Sequence, residues 1–217
     1  LGVAGNLSQS AGTLNVGAGG VTLNTLTQTG GALATTGALS LGSLSQSAGS
    51  LSAGSLSTTT AYSQTGNGTI NVTGDVSIAA TAAPVVLGNL SSGGTLTVNS
   101  TGGSITQTAG TVLTVTGAAT LTVSLNNAPA DVTLGNTGNT LGGTVTASGA
   151  DVTLSTTGPL TASVTAAGNA TLTSGGATTL GATHALDTVA RALLSPGDAV
   201  LVDEPGWAVD FARLSRM

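Results

Sequence analysis

The feature that most constrains this chain is a short phrase that returns at a nearly regular interval. The phrase reads LSQSAGTL at 7–14 and comes back at 26–33, 44–51, 62–66 and 105–110. Periods near 20 are typical of repeat proteins, in which each unit is too small to bury its own apolar face and must stack on the next. The sequence therefore predicts a solenoid rather than an ordinary globular core.

The repeat brings back a glutamine at the same point of each copy. The glutamines are Gln9, Gln28, Gln46, Gln64 and Gln107. The first four follow one another at almost equal intervals, and the fifth comes after a longer gap. Because equivalent positions of stacked turns lie above one another, we expect a structural ladder of amides along the solenoid. A row of ligand-binding glutamines is the alternative, and no other feature of the sequence favours it.

Apolar and polar residues alternate within each unit, as in TLTV at 95–98 and again at 120–123. A period of two predicts strands with one buried face, and the intervening glycine pairs predict turns. The dense glycine and threonine disfavour helices. We predict an all-β fold, a right-handed parallel β-helix of about nine rungs, each of roughly 18–20 residues, with a short C-terminal helix–strand(–helix) tail.

Charged residues are 5% of the chain and are unevenly placed. Before residue 178 they are only Asp75, Asp131 and Asp151, and the three arginines all come later. This shift predicts a solenoid domain at 1–177 and an α/β tail at 178–217. The net charge of −5 argues against a nucleic-acid partner. The sequence has no apolar run long enough for a transmembrane segment, and three Asp are too few for repeated calcium sites.

Residues 1–177 resemble filamentous haemagglutinin-type exoproteins and large autotransporter passengers in the period and composition of their repeats. The resemblance implies a structural or adhesive shaft of a bacterial protein that is secreted or lies on the outer-membrane surface. It also implies a carbohydrate or protein receptor on a host surface. The chain starts at Leu1 without a basic and apolar leader, so we expect any export signal to lie outside it. An open solenoid end exposes unpaired strand edges, which predicts end-to-end self-association.

The tail differs from the solenoid in its composition and in its pattern of apolar residues. Apolar residues 186, 189, 190, 193 and 194 fall on one helix face, a Pro-Gly pair at 196–197 ends the helix, and a short strand is predicted at 199–202. The phrases GATHALD and LLSPGDAVLVDEPGW resemble fold-type I pyridoxal-phosphate aminotransferases, especially the aminotransferase-like half of MocR-type regulators. This resemblance implies cofactor-phosphate contacts at Ala182 and Thr183 and stacking of Trp207 on the pyridine ring.

The tail lacks the residue on which such chemistry depends, because the chain contains no lysine to form a Schiff base with the cofactor. We therefore expect no catalysis and no bound cofactor, with pyridoxal phosphate implied only for a complete aminotransferase domain. A truncated aminotransferase or regulator, which would be cytoplasmic, is the alternative function. Two hypotheses explain why the solenoid and the tail occur in one chain. The junction between them is artificial, or the tail helix caps the open end of the solenoid.

A third functional hypothesis is ice or crystal-surface binding by a flat array of threonines. The pattern Thr-x-Thr occurs at 95–97, 120–122 and 171–173. The unequal spacing of these segments along the sequence argues against a regular array.

Overall fold

The computed structural model describes residues 5–124 and 130–180. The chain separates into two compact units, Leu1–Thr179 and Leu180–Met217. The predicted helix–strand tail, including Ala182, Thr183 and Trp207, lies outside the described residues. Its aminotransferase-like interpretation and its two proposed explanations therefore stay predictions.

The described residues form strands and turns, with no helix among them. The twenty strands are β1 Asn6–Gln9, β2 Thr13–Val16, β3 Val21–Thr35, β4 Ala38–Ala53, β5 Ser55–Gln64, β6 Thr69–Val72, β7 Val76–Ala80, β8 Val85–Leu87, β9 Asn89–Ser92, β10 Leu96–Ser100, β11 Ile105–Gln107, β12 Leu113–Val115, β13 Ala119–Val123, β14 Val132–Leu134, β15 Thr140–Leu141, β16 Val145–Gly149, β17 Val152–Thr156, β18 Leu160–Ala166, β19 Ala170–Ser174 and β20 Thr178–Leu180.

The strands stack into three faces, and every register between neighbouring turns is parallel. Face A contains the starts of β3, β4 and β5, followed by β7, β10, β13, β16, β18 and β20. Face B contains β1, the middle parts of β3 and β4, the end of β5, and then β8, β11, β14, β17 and β19. Face C contains β2, the ends of β3 and β4, and then β6, β9, β12 and β15. The predicted parallel β-solenoid of about nine turns is confirmed.

Turn length is less uniform than the repeated phrase suggests. Gln28 pairs with Gln46 across a short turn, whereas Ala119 pairs with Val145 across a markedly longer one. The longer turns carry extra residues at the corners, such as 108–112 before β12 and 135–139 before β15. Corner residues lie outside the ladders, so they lengthen a turn without shifting the register of the faces.

The core is a set of apolar columns that run through successive turns. One column joins Val76, Leu96, Ala119 and Val145 along face A, and each side chain is at most 2% exposed. Aliphatic side chains of successive turns lie above one another in this interior, and burial of each Val or Leu contributes about 1.5–3 kcal/mol. Tyr62 is the one aromatic residue among the described residues, and it is fully buried on face B.

Candidate functional site

Three of the repeated glutamines form a continuous buried ladder inside face B. The Gln28 amide donates to Oε1 of Gln9 at 3.1 Å, and the Gln46 amide donates to Oε1 of Gln28 at 2.8 Å. Each amide also donates to a backbone carbonyl across the interior, such as Gln28 Nε2 to the Ser50 carbonyl at 3.0 Å. The ladder therefore ties face B to face C through otherwise apolar surroundings, where a hydrogen-bonded amide is stabilising and an unpaired one is costly.

The ladder stops at Gln46, although Gln64 occupies the next position of the same column. Oε1 of Gln64 accepts from the Tyr62 hydroxyl at 3.0 Å and from the Gly88 amide at 3.0 Å. Its Nε2 donates to the Gly68 and Asn89 carbonyls. Gln64 thus has no donor left for its neighbour, and Oε1 of Gln46 is buried without a hydrogen-bond donor.

The fifth glutamine belongs to a different cluster. Leu87 is the residue that pairs with Gln107 in the preceding turn, so a leucine interrupts the glutamine column. Gln107 instead makes a reciprocal amide pair with Asn139, with distances of 2.8 and 2.9 Å. Asn139 is fully buried and also accepts from the Leu113 amide and donates to the Ser155 carbonyl. The sequence pattern does not reveal Asn139, because the two amides are far apart along the chain and no repeat phrase marks the pair.

The three aspartates lie directly before strands, where each hydrogen bonds to the next turn. Oδ1 of Asp75 accepts from the Thr95 amide at 2.7 Å and from the Thr95 hydroxyl at 2.9 Å. These two bonds, the backbone one first, hold the pKa of Asp75 below its usual value. Asp131 accepts from the Asp151 amide, and Asp151 from the Asn169 amide. Their geometry is that of turn caps, and among the described residues no three His, Cys, Asp or Glu side chains are grouped to hold a metal ion.

The outward side of face A carries two stacked columns of small polar side chains, all of them hydroxyls except one asparagine. One column runs Thr97, Thr120, Thr146 and Ser163, and a second column beside it runs Asn99, Thr122, Ser148 and Thr165. We call these eight residues the hydroxyl array. All eight are exposed or half-buried, and none of their side chains hydrogen bonds within the described part of the chain. Thr171 and Thr173, which share the Thr-x-Thr pattern, lie on face B in β19.

A shallow groove of about 370 Å³ runs across four turns at the corner that follows face C. Small and neutral residues line it, among them Gly17, Thr36, Gly54 and Thr73. Nothing in this lining titrates near neutral pH, so the groove offers shape and neutral hydrogen-bonding groups but no acid or base. In the described ranges, no helix is long and apolar enough to cross a membrane.

The architecture and the amide ladder define a class, the β-helical repeat proteins, in which short parallel strands stack turn upon turn. Within the chain, residues 73–148 match the family model described as repeats of unknown function (DUF5649). That stretch reaches from just before β7 into β16 and includes the longest turns. No curated protein and no solved structure matches the chain significantly.

Proposed function

We propose that residues 1–177 act as the non-catalytic shaft of an exported bacterial surface protein. The observation that carries this proposal is the parallel stacking of the face B strands through nine successive turns. At about 4.8 Å per turn, nine turns hold their ends roughly 40 Å apart. A stack of this kind is suited to spanning a distance, because each turn contacts only its neighbours and the rise per turn is fixed by the backbone hydrogen bonds.

The repeats support an extracellular setting, because they resemble haemagglutinin-type and autotransporter passengers, which are exported. Surface attachment follows from the same resemblance, with the shaft presenting a receptor-binding region to a host carbohydrate or protein.

Location is tested with antibodies against the full chain, applied to intact and to lysed cells of the source organism. We expect labelling of intact cells, and removal of that label by protease treatment of the cell surface. A cytosolic enzyme, detected in parallel, should be labelled only after lysis. If the chain is labelled only after lysis as well, the proposed export is wrong.

The shaft role is tested by removing one whole turn. Because Val76 pairs with Leu96, deletion of residues 76–95 should join the remaining turns in register. Deletion of 76–85 removes half a turn and serves as the control, since it brings unlike faces together. We expect the whole-turn deletion to fold and to be displayed at the surface, and the half-turn deletion to misfold. Misfolding of both variants would contradict a modular shaft.

A further inference from the structure

We propose that the hydroxyl array on face A is an ice-binding surface, so that the solenoid also binds a crystalline water lattice. The unequal spacing of the Thr-x-Thr segments in the sequence argues against such an array. The register does not stack those three segments, since 171–173 lies on face B and Thr97 pairs with Thr120, but it aligns a different set of hydroxyls. Thr97, Thr120 and Thr146 are unequally spaced along the chain, yet they are direct neighbours in successive turns. The extra residues are accommodated at the corners, and the hydroxyls stay aligned.

The array is regular in two dimensions. Successive turns of a parallel stack are about 4.8 Å apart, and outward residues two positions apart along a strand are separated by roughly 6.6 Å. The eight side chains therefore form a grid of four turns by two columns. Such a grid can match the repeat of a crystal surface, which a single row of hydroxyls cannot do in both directions.

Face A is the face on which such a grid can form in this part of the solenoid. Its strands β10, β13 and β16 have five residues each and β18 has seven, so each places two outward side chains in the array. The corresponding strands of face B, β11 and β14, have three residues, and those of face C, β12 and β15, have three and two. With one outward side chain per strand, β11, β14, β12 and β15 add only a single column. The face B strands β17 and β19 have five residues each, but Ser155 of β17 is buried, so no four-turn grid of exposed side chains forms there.

The chemistry of the array favours ice over a polysaccharide. Its side chains are neutral and bind no other described group, so they are free to hydrogen bond with lattice water. Threonine is stiff at χ1, which reduces the entropy lost when the hydroxyls are fixed in a lattice. Sites for small molecules are typically concave and lined by hydrophobic and aromatic side chains. Here the surface is a sheet face, and the one described aromatic residue, Tyr62, is buried.

The test is the fraction of the full chain that enters a slowly growing ice front, together with thermal hysteresis. The test variant carries Thr120→Lys and Thr146→Lys, which are adjacent on face A. The control carries Thr133→Lys and Thr153→Lys, which are adjacent in the same two turns on face B. Both variants add the same two charges, each pair has one exposed and one half-buried threonine, and far-UV circular dichroism establishes that each folds.

We expect the unmodified chain and the face B control to be enriched in the ice and to show thermal hysteresis, and the face A variant to lose both. If the double face A variant does not fold, Thr122→Lys in the second column replaces it with the same expected loss. Exclusion of the unmodified chain from the ice would overturn the proposal, and so would equal loss by both variants. Retention on insoluble cellulose or chitin without enrichment in ice would assign the face to a polysaccharide and would also overturn it.

Discussion

The glutamine ladder predicts a specific stability loss when its middle member is replaced. Gln28→Leu keeps most of the side-chain volume but removes three hydrogen bonds, to Gln9, to the Ser50 carbonyl and from Gln46. Each bond contributes about 1 kcal/mol net, and the Gln9 acceptor left without its donor costs at least about 1 kcal/mol more. Burial of the leucine in place of an amide offsets about 1–2 kcal/mol. We expect a net loss of about 2–3 kcal/mol in the free energy of unfolding.

The loss is measured by urea unfolding followed by circular dichroism, and it corresponds to a fall in Tm of about 5–10 °C for a chain of this size. Ser45→Ala is the matched control, because Ser45 is exposed on the neighbouring strand β4, next to Gln46, and makes no hydrogen bond with its side chain. It should stay within about 0.5 kcal/mol of the unmodified chain. A Gln28→Leu variant that also stays within that range would refute the structural role of the ladder.

Replacement of the whole ladder separates the cost of an orphaned amide from that of a lost bond. In a triple variant with leucine at 9, 28 and 46, no side-chain amide is left without its ladder partner, and the unpaired Oε1 of Gln46 is removed as well. We expect this variant to lose much less stability than three times the single change, since joint replacement by apolar groups is often nearly neutral. A strictly additive loss would contradict this explanation.

Three further predictions follow from single residues. Gly68→Ala should lower the free energy of unfolding by about 1–3 kcal/mol, because a Cβ at this position would lie 2.7 Å from Cδ of buried Gln46. Gly158→Ala is the control, since its Cβ would meet no atom within 4 Å, and it should change stability little in the same urea assay. The pKa of Asp75 is lowered in the fold, so its hydrogen bonds stabilise the folded chain above the unfolded pKa of about 4, and this contribution is lost as the pH falls through the folded pKa. The unmodified chain should therefore lose more stability than Asp75→Asn between pH 6 and pH 3. Equal losses in the two chains would contradict this. Burial raises the pKa of Tyr62, so tyrosinate absorbance should stay absent as the pH rises past about 10, and the stability of the fold should decrease above that pH. Tyr62 is the only tyrosine, so the absorbance reports on this residue alone. Tyrosinate absorbance that rises while circular dichroism is unchanged would show that the ring is accessible and would contradict the prediction.

The fold could be predicted from the sequence because one physical constraint governs it throughout. Alternation of apolar and polar residues fixes which side of each strand is buried, and the glutamine spacing fixes the turn. The ladder was predicted for all five glutamines, whereas the structure brings together Gln9, Gln28 and Gln46 in it. The exchange of partners by Gln64 depends on Tyr62 and Gly88, which come close to it only when the turns are stacked.

The number of residues in each corner between strands could not be predicted from the sequence pattern. The pair of Gln107 and Asn139 and the alignment of Thr97 with Thr120 both cross turns that are longer than the repeated phrase predicts. Residues that are far apart and unequally spaced in the sequence are therefore neighbours in adjacent strands. Registers of long turns have to be read from the strands themselves, because the residues between strands carry no period.

The corners that hold these extra residues divide the solenoid into positions of two kinds. A residue added within a strand would turn every following side chain to the opposite face, whereas a residue added at a corner leaves the faces in place. The faces can therefore keep a fixed pattern of side chains while the corners gain or lose length. In such a molecule, a partner that contacts a face would encounter the same surface in chains of quite different length.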